Sequence, residues 1–178
     1  MYISTLEEKT NAMYENEAVE KFTAELEDAY DRGDFELPDE YEELTAEDIV
    51  KMANSVDRET FVNTCRENLK QNAEMTVELL KETMEQVQEA YDSLDEENRE
   101  QFAHTLTIGT EAAVKMWADN AAMFKELIGE LPADERAALV TNSAANVAYL
   151  RSDKVPSCVK PWTSLLANMW QLVYNFAA

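Results

Sequence analysis

The sequence is poor in the residues that interrupt helices. It holds three glycines and four prolines in 178 residues. Those two residues mark most turns, so long unbroken segments are expected. Ala, Glu, Leu, Met, Lys and Gln, all good helix formers, fill them. Two cysteines, Cys65 and Cys158, are too few for a disulfide framework. Both read as small buried hydrophobes in a reducing compartment, and a single bridge between them is left open. No run of about 20 apolar residues exists, which excludes a membrane-spanning helix. The stretch Met1-Tyr2-Ile3-Ser4-Thr5-Leu6-Glu7-Glu8 lacks the basic and apolar regions of a signal peptide. A cytoplasmic protein is expected.

Catalytic signatures are equally scarce. There is one histidine, His104, and any Ser- or Cys-based triad would have to use it. No glycine-rich phosphate loop is present. A carboxylate-bridged di-metal site wants Glu-x-x-His on each of two helices. Here Glu97 and Glu100 precede His104 at spacings of seven and four, which does not fit. Asp28, Asp31, Asp34, Glu36 and Asp39 could suggest calcium, but they lack the spacing and central glycine of a calcium loop. The expectation is a non-enzyme with no metal and no cofactor.

Positive charge is the scarcest quantity of all. There are 15 Lys and Arg against 37 Asp and Glu, for a net charge of −22. Residues 1–100 carry 30 acids and 9 bases, and residues 101–178 carry 7 and 6. Such asymmetry points to a partner-facing surface or an acidic arm. It argues against direct contact with nucleic acid or an anionic membrane, both of which repel carboxylates. Salt adaptation would spread acids over the whole surface, yet the second part of the chain is almost neutral.

What remains is helical pattern. A first helix is expected from Thr5 to Arg32, ended by Gly33. An acidic connection with Pro38 follows at 33–44. Thr45 should cap a short helix over 46–54. Steps of three and four from Phe61 to Leu94 predict one helix of about 36 residues over 57–93, roughly 54 Å long. Asp95 restarts a helix that runs to Ile128, with a kink allowed at Gly109 and a stop at Gly129 and Pro132. A helix over 133–150, a loop over 151–160 and an apolar last helix from Pro161 to Phe176 complete the chain. The fold class expected is all-α: an irregular bundle of about six helices around a long antiparallel helical hairpin. It reads as a single domain over 1–178, with 1–44 as an acidic arm that could be semi-independent.

On the long helix, Glu67, Glu74, Glu78, Glu85, Glu89 and Glu96 recur at steps of seven and four and stay near one face. Two carboxylates about 6 Å apart repel by roughly 0.7 kcal/mol in water before screening. Glu20, Glu27, Asp28 and Asp31 on the first helix add to this acidic face. A row of carboxylates can stand in for the phosphates of a nucleic-acid strand, which advance about 3.4 Å each. In composition the chain is similar to phage-encoded inhibitors of restriction or CRISPR enzymes that imitate DNA, a likeness of charge alone. The partner expected is therefore the basic surface of a nucleic-acid-binding protein. The alternative is a scaffold or adaptor that oligomerises through the last helix. Trp162, Trp170 and Tyr174 on that helix read chiefly as core and otherwise as a self-association seam.

Overall fold

A computed structural model describes residues 17–40 and 43–178. Among them the chain forms eight α-helices, and a 3-10 turn precedes the last of these. We number the helices α1 (Glu17–Arg32), α2 (Ala46–Ser55), α3 (Arg58–Glu74), α4 (Val77–Ser93), α5 (Glu96–Asp119), α6 (Ala121–Glu130), α7 (Ala133–Leu150) and α8 (Lys160–Ala177). The all-helical bundle is as expected. The expected start of the first helix at Thr5, with Glu7, Glu8 and Glu15, lies outside the described residues.

Most helix starts follow from local side chains. Thr45 and Asp48 form a capping box on α2, in which each residue satisfies the other's backbone N–H. Asp57 accepts from the amides of Glu59 and Thr60, and Asp95 accepts from Asn98. At the other end of α1, Gly33 takes φ 74°, a left-handed turn that only glycine adopts cheaply. Its amide donates to the Tyr30 carbonyl and that of Asp34 to Ala29, both at 3.0 Å.

The single helix expected over 57–93 is two helices. The chain leaves helical geometry at Met75 (ψ 83°), and Thr76 begins α4 by accepting from the Leu79 amide. The break is held from a distance. Asn142 on α7 donates to the Ala73 carbonyl at 2.7 Å, and Asn146 donates to the Met75 carbonyl at 3.0 Å. These bonds satisfy carbonyls that the interrupted helix orphans. The helix expected from Asp95 to Ile128 is likewise divided, at Asn120 rather than at Gly109. Arg58 of α3 donates to the Asn120 side chain at 3.1 Å, while the Asn120 amide group donates to the Met116 carbonyl at 2.9 Å. Gly109 sits inside an uninterrupted α5. The two long helices of the expected hairpin are therefore four shorter ones, and α5 packs chiefly on α8 and α2.

The core forms where α7 and α8 meet, the most extensive helix contact in the molecule. Leu69 of α3, Ile128 of α6, Leu139 of α7 and Val173 of α8 are fully enclosed there. Each such side chain contributes roughly 1.5–3 kcal/mol by leaving water. Helix α1 rests on α3 and α2, and α4 rests on α7 and the 3-10 turn Ser157–Val159. Gln88 of α4 fixes that turn by accepting from the Cys158 amide at 3.0 Å. Among the described residues, no helix is long and apolar enough to cross a membrane.

Candidate acidic binding surface

The break at Met75 resets the phase of the acidic face. Glu67 and Glu74 belong to α3, whereas Glu78, Glu85 and Glu89 belong to α4, so no single rod carries the row. Helix α4 has 17 residues and is about 25 Å long, half the length expected. Within it the stripe is denser than the expected row. Glu78, Glu82, Glu85, Glu89 and Asp92 are all exposed and follow steps of four, three, four and three. Glu82 and Asp92 were not part of the expected row. Their signal was present in the spacing, but the expected row stepped by seven from Glu78 to Glu85 and from Glu89 to Glu96 and so passed over both.

The cations near this stripe are held by other groups. Lys81 lies over the Tyr149 ring, 5.7 Å from its centroid. Arg99 donates to the carbonyls of Tyr91 (3.1 Å) and Asp92 (2.9 Å) and stacks on the Tyr91 ring. It therefore closes the C-terminal end of α4. Among the described residues, Glu78, Glu82, Glu85 and Glu89 make no ion pair. The Asp92 carboxylate accepts from Gln88 at 2.9 Å. The field of the stripe reaches inward: with burial, the Glu85 charge raises the Tyr149 hydroxyl, and Asp92 does the same to the Cys158 thiol.

The remaining expected residues separate into two groups. Glu20, Glu27, Asp28 and Asp31 are exposed on α1, and among the described residues they form no ion pair. Glu96 is exposed in the first turn of α5, close in sequence to the end of the stripe. Glu74 is exposed too. Glu67 is half-buried and paired with Lys70 at 2.8 Å, so it adds little free charge. Because α1 packs on α3 and α2 while α4 packs on α7, the carboxylates form two patches carried by different neighbours.

The α1 patch has a second property that composition does not reveal. Tyr30 and Leu37 are the exposed large hydrophobics of the described chain, at 53% and 41%. Both line a shallow hollow with Glu27 and Asp31. One carboxylate on α1 is structural instead. Glu25 accepts from the Asp57 amide at 2.9 Å and from the Thr60 hydroxyl at 2.7 Å, which anchors α1 to the start of α3.

The aromatic residues of the last helix are largely enclosed. Trp162 and Trp170 are buried at 5% and 4% exposure, and the Trp162 indole donates to the Thr107 hydroxyl. Tyr174 is half-buried. The exposed positions of α8 include Ser164, Asn168 and Asn175, so a polar stripe faces out.

Other chemistry is sparse. His104 Nε2 lies 3.0 Å from the Leu44 carbonyl, and in the neutral ring that nitrogen would donate. Among the described residues, no three His, Cys, Asp or Glu side chains converge on a point where a metal could sit. Cys65 and Cys158 are free and buried. Burial pushes the Cys65 thiol up to about 11, which removes nucleophilic thiolate near neutral pH. Asp48 is held below the usual carboxylate range by its bonds to Thr45. No protein-family model, curated protein or solved structure matches the chain.

Proposed function

We propose that the chain is a non-catalytic binding protein that occupies the basic surface of a nucleic-acid-handling partner and blocks it. The observation that carries this reading is the α4 stripe. Four glutamates at helical spacing stand exposed without ion pairs among the described residues, while Lys81 and Arg99 beside them are engaged elsewhere. Like charges at i,i+4 cost a helix a few tenths of a kcal/mol per pair. A stripe that needed only solubility could have offset them with lysines at low cost. From Glu78 to Asp92 the stripe runs about 21 Å, roughly six base-pair steps, enough to engage one groove-facing basic patch. The α1 patch supports the same reading, because Tyr30 and Leu37 supply apolar anchors amid carboxylates. Protein interfaces concentrate their affinity at such anchors.

The scaffold alternative drew on the aromatics of the last helix. Trp162 and Trp170 are taken up by the chain's own core, so the observations favour the acidic surface. The test is capture from a nuclease-treated lysate on immobilised protein, with wild type beside a variant carrying Gln at 78, 82, 85 and 89. Nucleic-acid-binding proteins should be retained at low salt by the wild type only. They should elute with added salt or with duplex DNA. Retention that ignores salt, or that persists in the variant, would sink the proposal.

A further inference from the structure

Between α1, α2, α3, α5, α6 and α8 lies a cleft of about 350 Å³. Its walls carry four aromatic rings, Phe22, Phe61, Trp117 and Phe124, and the thioether side chains of Met116 and Met169 add to them. Trp117 and Phe124 are stacked, with centroids 3.7 Å apart. Asn68 is the exposed residue of the lining, and Asn72 is one helical turn away on the same face of α3. These two amide side chains and the Thr64 hydroxyl, which donates to main-chain carbonyls, are the polar groups among the described side chains of the lining. Among the described residues, none that lines the cleft is charged, in a chain where 29% of residues are charged. Cys65, also in the wall, keeps its proton near neutral pH.

We infer that this cleft is a binding site for a small neutral aromatic or aliphatic molecule with one hydrogen-bonding group. Its size falls at the lower end of ligand pockets, which run from about 300 to 1,000 Å³. At about 20–30 Å³ per non-hydrogen atom or water it holds roughly 12 to 17 such atoms, too few for a docked helix. Apolar cavities stay poorly hydrated and take up apolar guests readily. The ring faces and methionines supply the contact area. The Asn68 and Asn72 amides offer both donors and acceptors to a polar end. The sign of the ligand follows from electrostatics. An anion would meet the field of a chain of net charge −22, and the nearby Arg58, over the Phe61 ring, is engaged with Asn120; a buried cation would find no carboxylate among the described lining residues. This inference does not depend on the acidic surface or its partner.

The test uses a matched pair of fluorescent probes, N-phenyl-1-naphthylamine and its anionic sulfonate, 8-anilino-1-naphthalenesulfonate. The neutral probe should bind the full-length protein saturably, one per chain, with energy transfer from tryptophan. The sulfonate should bind at least roughly tenfold more weakly. Asn68→Trp, at an exposed position, should obstruct the mouth, and Ala113→Phe should fill the interior. Each should weaken the neutral probe by roughly tenfold or more while circular dichroism shows a folded helical protein. If Ala113→Phe fails to fold, Asn68→Trp alone decides. Unsaturable binding, equal affinity for both probes, or binding unchanged in folded variants would overturn the inference. So would a probe signal that tracks self-association, which would assign the cleft to a second copy.

Discussion

The amide group of Asn146 donates to the main-chain carbonyl of Met75 across 3.0 Å, from a side chain with no solvent exposure. That bond and its neighbour from Asn142 to Ala73 hold open a break in what is otherwise good helical sequence. Truncating Asn146 to Ala should lower unfolding free energy by about 1–3 kcal/mol, the cost of leaving a buried carbonyl unsatisfied. Asn142→Ala should do the same, toward the lower end because the position is half-buried. Urea denaturation of both single variants and the double variant will check this. The double loss should differ from the sum, because both bonds support one break.

Gly109 offers the opposite sign. It is exposed inside α5, and a Cβ placed there meets nothing within 4 Å. Gly109→Ala should therefore stabilise the protein by about 0.5–1 kcal/mol. Gly33→Ala should destabilise it although space is equally open, because φ is +74° and a side chain strains that geometry. Thermal melts of the two variants should move in opposite directions.

The α4 stripe stores repulsion that a single substitution can release. Glu82 has Glu78 four residues before it and Glu85 three after it. Glu82→Lys turns both like-charge neighbours into attractive ones and should raise stability by about 0.5–1 kcal/mol at low salt. Added salt should shrink the gain. A melt in dilute buffer and again in high salt measures it. The same substitution should weaken capture of basic partners, so stability and binding would change in opposite directions.

Cys65 predicts an alkaline limb. Its thiol titrates near 11 when folded, against 9.0 as the ordinary value. Below pH 9.0 the thiol is protonated in folded and unfolded chains alike, and full stability is kept. Between those values the unfolded chain loses its proton first. Stability should therefore fall as the pH rises through this window, by roughly 2–3 kcal/mol at its end. Cys65→Ala should flatten that part of the stability profile relative to wild type. An equal fall in the variant would refute the assignment.

Much of the fold was legible wherever the deciding contact was local. The cap at Thr45, the restart at Asp95 and the left-handed turn at Gly33 all lie within a few residues of the helix ends they set. Helix α7 was expected over 133–150, and it spans those residues. The two misplaced breaks have a common cause. Asn120 is engaged by Arg58, and Met75 by Asn146. Both partners lie more than 60 residues away, where no local pattern can register them. Gly109, the weak point that local propensity suggested, lies inside an uninterrupted α5. The acidic face was read in the same way: charge and helical spacing were visible, but the phase of the α4 stripe depends on a break fixed elsewhere.

The helix break also has an order in time. On a ribosome, residues 57–93 emerge well before Asn142 and Asn146. During that interval only the Thr76 cap opposes a continuous helix through Met75. Local helix forms in microseconds or less, far faster than synthesis at about 5–20 residues per second. The nascent segment therefore favours a straighter form than the finished one. Only when α7 arrives can Asn142 and Asn146 engage the Ala73 and Met75 carbonyls, so the bonds that hold the break are among the last that its segment can make.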